Sequence, residues 1–138
     1  MSSIATPIVV GPEEGRLIPR PDTGGALRIK LESPQAGGAL TVYESSGPAG
    51  HTTGPGIHSH PGFDEMFYVV RGRYEFAIGG VTHIAGEGTF VYVPRGVFHS
   101  FRSMGEMQPR LLTICTPGGI EELFDQAVRG SGAPASIP

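Results

Sequence analysis

The residues best equipped for chemistry are three histidines and a glutamate. His58 and His60 stand two apart in the run His58-Ser59-His60, Glu65 follows five residues later, and His99 comes 34 residues beyond it. An extended chain points residues i and i+2 to the same face, so a strand-like segment would aim both imidazoles one way. Imidazole nitrogen and carboxylate oxygen together suit a borderline divalent metal: iron, manganese, nickel, copper, cobalt or zinc. A closed thiolate site is excluded, because Cys115 is the one cysteine of the chain. Four protein ligands on an ion that takes five or six leave room for water, dioxygen or a chelating substrate. Glu65 has a second use, as a general base. A His-x-His pair is also ordinary surface or core polarity, and spacing alone leaves both readings open. His51, in the preceding loop, reaches at most the mouth of such a site, and His83 reads as a solvated residue.

Something must carry these residues to a common point, and the composition suggests what. Gly 22 and Pro 13 make up a quarter of the 138 residues, which suits either a low-complexity polymer or a sheet protein with many tight turns. Many of them flank apolar runs, as Gly79-Gly80 and Pro94 with Gly96 do, and that favours the all-β reading. Strands are predicted at 8–10, 26–32, 39–44, 65–70, 74–78, 81–84, 89–93, 97–102 and 110–116. So many short strands predict a closed antiparallel sandwich or barrel, in which closure removes unpaired edges. The four metal-ligand candidates can then converge in its interior. Ile120, Leu123, Phe124 and Val128 recur at helical spacing, with Glu121 and Glu122 in the first turn, Arg129 in the last and Gly130 as C-cap. The expected organisation is an extended arm over 1–25, a domain over 26–129 ending in this amphipathic helix, and a flexible tail over 130–138.

With Glu65 facing inward, alternation puts Phe67 and Val69 on its face, and Tyr74, Phe76 and Ile78 share a second row. Phe67, Phe76, Ile78, Phe90, Tyr92 and Phe101 are the candidates for lining a substrate pocket, although each also serves as plain core. Cys115, within the apolar run 111–115, reads as a small buried thiol. Arg95 and Arg110 could neutralise a carboxylate, with solvation as the default.

Several function classes drop out. The net charge is −3 and the arginines are scattered, which disfavours nucleic acid. The longest apolar run, 66–70, is far short of the roughly 20 residues that cross a bilayer. No glycine-rich loop opens a helix, which disfavours phosphate and nucleotide-sugar binding. No helix-turn-helix segment is present to make a transcription factor. The opening MSSIATPIVV lacks a positive n-region, so no leader is expected and a cytoplasmic location fits.

The run His58-Ser59-His60, four residues, Glu65, six residues, Gly72 resembles the first cupin motif. The run Gly88, five residues, Pro94, one residue, Gly96, two residues, His99 resembles the second. The fifteen residues between them are similar in number to compact bacterial members, and the resemblance covers 40–103 tightly and 26–129 in outline. Thr52 stands where a glycine is usual and Ser103 where an asparagine is usual; neither is a ligand in the family. The resemblance implies a jelly-roll β-barrel, commonly a homodimer, with His58, His60, Glu65 and His99 as a three-histidine, one-glutamate metal set. Cupins include dioxygenases, isomerases, epimerases, decarboxylases, cyclases, lyases and non-enzymatic binders, and fold with ligand set does not choose among them. The passage 117–124 is similar to small cupins related to quercetin dioxygenases. The expected function is a metal-dependent enzyme, with a dioxygenase put first, acting on a small cyclic or aromatic molecule. The alternatives are a non-redox isomerase, cyclase or lyase using the metal as Lewis acid, and a non-catalytic small-molecule binder.

Overall fold

A computed structural model describes residues 6–20, 24–49 and 56–131. The described strands are β1 (Arg16–Arg20), β2 (Gly25–Leu31), β3 (Thr41–Ser46), β4 (Asp64–Arg71), β5 (Arg73–Ile78), β6 (Val81–Ala85), β7 (Phe90–Val93), β8 (His99–Met104) and β9 (Arg110–Thr116). One helix, α1 (Ile120–Ser131), follows them. The strands form a large antiparallel sheet in the order β1-β2-β3-β9-β4-β7 and a small one in the order β6-β5-β8.

The expected closed jelly-roll barrel is not formed. The large sheet ends at β1 and β7 and the small one at β6 and β8, and among the described residues no ladder joins those edges. The chain changes sheets in the turn at 86–89, where Thr89 N–H donates to the Gly86 carbonyl at 3.1 Å. There β6 stays paired with β5 while β7 is committed to β4, so the two part instead of zipping together. An isolated bridge, His58 to His99, ties the segment before β4 to the small sheet. The architecture is two sheets and a C-terminal helix.

Alternation along the strands decides what is buried. Glu65, Phe67 and Val69 of β4, Leu111, Thr113 and Cys115 of β9, and Thr41 and Tyr43 of β3 all point inward. One half of this inner face packs on the small sheet, through Phe67, Val69, Tyr74, Phe76, Ala85, Val93 and Leu111. The other half packs under α1, through Ile18, Leu27, Ile29, Tyr43, Cys115, Ile120 and Phe124.

The helix turns Ile120 and Phe124 inward as predicted, but Val128 is exposed and the helix runs through Gly130, the expected C-cap, to Ser131; two charged groups fasten it. Arg16 bridges Asp125 at 2.7 Å and Glu32 at 3.0 Å. Glu121, buried in the first turn, accepts from Ser33 N–H at 2.5 Å, Thr41 Oγ1–H at 2.6 Å and Gly119 N–H at 3.1 Å. The strand expected at 8–10 is not one. The first strand is instead β1, inside the segment read as an arm, where an edge position tolerates Pro19.

Candidate metal centre

His58 and His99 share a frame of two backbone hydrogen bonds: His58 N–H to the His99 carbonyl at 3.0 Å, and the reverse at 2.8 Å. The next ligand candidate is held from the bend that precedes β8. Gly96, at φ +79°, takes a left-handed conformation that suits glycine, and its N–H donates to the His60 carbonyl at 3.0 Å. Glu65 sits on β4 between Val93 of β7 and Cys115 of β9. The large sheet thus supplies the carboxylate and the small sheet supplies His99.

One donor atom from each of His58, His60, Glu65 and His99 lies within 4.8 Å of the other three. Ligands on one ion at about 2.1 Å stand at most about 4.2 Å apart, so a small contraction would seat a metal. Glu65 Oε1 lies 2.9 Å from His99 Nε2 and 3.2 Å from His60 Nε2. His58 Nδ1 is 2.6 Å from the Gly56 carbonyl, and His99 Nδ1 is 2.9 Å from that of Val97. An Nδ1–H donated to a carbonyl fixes the tautomer and leaves Nε2 free to ligate. His60 Nε2 is buried without a hydrogen-bond partner among the described residues, an arrangement that costs about 1–3 kcal/mol unless something satisfies it. His60, Glu65 and His99 are buried and His58 is half-buried, so the cluster is open on the His58 side. Phe63 stacks on His60 with ring centroids 4.4 Å apart, and Phe67 lies 6.2 Å from His99.

The electrostatics agree with a ligating role. Burial, reinforced by His58 and His99 against the pull of Glu65, lowers His60 to about 4, so its ring is neutral at pH 7. Burial also pulls His99 down. Its hydrogen bond to Glu65, the Val97 carbonyl and the charge of Glu65 together outweigh that and raise it above its ordinary value. An ion would compete with Glu65 for His99 Nε2.

All four ligand candidates are therefore brought together. Of the lining candidates, Phe67 and Phe76 are sealed in the core, and Ile78 and Phe101 pack half-buried against it. Phe90 and Tyr92 do not line the interior: they are 61% and 52% exposed on the outer face. The cause is register. Val93 lies opposite the inward Glu65, so Phe90 and Tyr92 fall beside Tyr68 and Met66. His51 and Thr52 lie outside the described residues, and His83 is exposed on β6. Arg95 is engaged by Asp64 at 3.4 Å, and Arg110 is half-buried beside Ser46 and Arg71. Cys115 is buried 4.0 Å from Glu65 Oε2, and burial with that nearby carboxylate pushes its thiol up, away from nucleophilic use. Sequence reasoning missed Phe63 and Tyr43. The phenol of Tyr43 is pushed up by burial, with Cys115 and Glu65 adding to it. Alternation in the predicted strand 39–44 was the signal that could have placed it.

A family model described as the cupin domain matches residues 47–115, or 69 of the 138. The chain belongs to the cupin family. Among its relatives, Protein SchB of Streptomyces halstedii is 33% identical over 91 residues, covering 64% of each chain, so the match spans a little under two thirds of that protein. Among solved cupin-like structures, KdgF from Halomonas sp. superposes with a TM-score of 0.71 at 18% identity, covering 86% of this chain and all (100%) of that one. An RmlC-like cupin from Shewanella frigidimarina gives 0.66 at 17% identity, covering 82% and 93%. At such identities these structures show the shared cupin fold. No described helix of this cupin is long and apolar enough to cross a membrane.

Proposed function

We propose that this cupin is a metal-dependent enzyme that acts on a small cyclic or aromatic molecule, with dioxygenation as its reaction. The observation that carries this reading is the convergence of three imidazoles and one carboxylate, with a buried His60 Nε2 that has no hydrogen bond among the described residues. A divalent first-row ion bound there supplies Lewis acidity and, if it is iron, manganese, nickel or copper, reactivity toward dioxygen. The chain does the rest. His58, His60, Glu65 and His99 hold the ion, and the carbonyls of Gly56 and Val97 hold two of the rings in place. Phe63, stacked on His60, and Phe67, 6.2 Å from His99, back the imidazole rings with apolar surface and keep water from that side of the cluster.

A non-redox isomerase, cyclase or lyase is the second reading. What favours it is Glu65, the one carboxylate in the cluster of described ligands and so the group placed to take a proton from substrate. Metal analysis of protein purified without added metal, followed by oxygen-uptake assays across metals with phenolic substrates, separates the readings. Oxygen consumption with iron and none with zinc supports the dioxygenase. Turnover with zinc and no oxygen demand supports Lewis-acid chemistry. Metal and ligand binding without turnover makes the protein a small-molecule binder. His60→Ala should lower metal affinity at least about tenfold; full metal stoichiometry in that variant at the same free metal would contradict its role.

A further inference from the structure

The three imidazoles of the cluster are not held alike. Two of them are fixed by the carbonyl two residues earlier in the chain: His58 Nδ1 by Gly56 at 2.6 Å, and His99 Nδ1 by Val97 at 2.9 Å. For His60 the corresponding carbonyl is that of His58. It is already engaged, accepting the His99 N–H at 2.8 Å in the bridge that joins the two segments. The His-x-His spacing therefore places His60 where no anchor of this kind is left to it. Its backbone is tied by Gly96 N–H, but that leaves the side-chain torsions free, and its Nε2 has no hydrogen bond among the described residues.

What lies flat against the His60 ring is Phe63, with centroids 4.4 Å apart and planes 25° apart. The imidazoles of His58 and His99 stand at steeper angles to it, 73° and 53°. The chain bends at Pro61 and Gly62, and this folds rings 60 and 63 onto each other just before β4 begins. Phe63 is a firm wall, because it is half-buried and packs on the core under α1 that contains Ile120 and Phe124. Stacked rings attract beyond the area they bury, and an aromatic face attracts positive charge. An imidazole that ligates a divalent ion gives up electron density to it, so this stack is stronger for the ligating ring than for the free one.

We propose that Phe63 is the positioning residue of His60: its ring sets the plane in which Nε2 faces Glu65, the role that carbonyls perform for His58 and His99. The inference rests on the reading of these four residues as a metal set. A side chain immobilised in advance does not pay its ordering cost on binding, so the stack should favour metal about three- to tenfold.

The test is titration of the full chain with cobalt(II) alone, read by equilibrium dialysis and visible absorption, with proton NMR of the metal-free protein as a second readout. In the metal-free protein the His60 ring protons should lie upfield, shielded by the Phe63 face, and show cross-relaxation with the Phe63 ring. Absence of both overturns the proposal without any substitution. Phe63→Leu, which keeps apolar bulk against the core, should weaken cobalt binding about three- to tenfold and remove the upfield shift. Phe63→Tyr, which keeps the ring, should retain both. Leu123→Ala, which trims the same core from α1, should lower the urea midpoint and leave cobalt affinity unchanged. Unchanged affinity in Phe63→Leu, or an equal loss in Leu123→Ala, overturns the proposal and leaves the metal set standing. An unsubstituted protein that binds no cobalt overturns the metal set, and the proposal with it.

Discussion

His60 and His99 approach the same oxygen of Glu65, yet burial takes His60 down to about 4 while a hydrogen bond to that oxygen lifts His99 above its ordinary value. The difference is alignment: His99 Nε2 makes a hydrogen bond to Oε1, and His60 Nε2 makes none. The sign of each effect on stability follows. Between about 6.5 and 4 the unfolded chain takes up a proton at His60 that the folded chain refuses, so stability is lost as pH falls through that window. His99 acts oppositely: its stabilisation is complete below the unfolded value and is lost as pH rises through the raised one. Metal-free His60→Gln should therefore lose less stability than the unsubstituted protein between pH 7 and pH 4.5, as read from urea midpoints. A steeper loss in the variant would refute the burial argument.

Helix α1 is fastened by its apolar face, by the Arg16–Asp125 pair and by one buried carboxylate. Glu121 takes up two backbone N–H groups and the Thr41 hydroxyl from three separate segments, so Glu121→Gln should cost about 1–3 kcal/mol, measured by urea unfolding. An unchanged midpoint would mean that the helix is held by its apolar face and the Arg16–Asp125 pair without Glu121. That face was legible from the spacing of Ile120, Leu123 and Phe124, and so were β4, β5 and the Gly79-Gly80 hairpin, because alternation and turn residues are local signals. The four ligand candidates were legible for a similar reason: three fall within eight residues, and His99 follows a Pro-Gly bend. Register was not local. Phe90, Val91, Tyr92 and Val93 are all apolar, so the strand carries no polarity to say which pair turns inward; its pairing with β4 decides. Closure failed to show for the same reason, since whether β6 and β7 meet depends on partners distant in the chain. Arg16–Arg20 hid as a strand because Pro19 and two arginines mask an edge position that needs only one partner.

At the scale of the whole molecule, an ion in the site adds its binding energy to folding. A metal held at a free concentration one hundred times its Kd stabilises the native state by about 2.7 kcal/mol. Thermal melting with and without a chelator should show that shift, and His60→Ala at the same free metal should cut it to about 1.4 kcal/mol or less. The ligands come from both layers, Glu65 from the large sheet and His99 from the small one, and no ladder among the described residues closes the seam between β6 and β7. A bound ion is therefore a rivet between two plates that are otherwise held by side-chain packing and the His58–His99 backbone bridge. Withdrawing it should let amide protons along β4 and β8 exchange with solvent faster, while those of β1 and β2, on the far side of the large sheet, keep their pace.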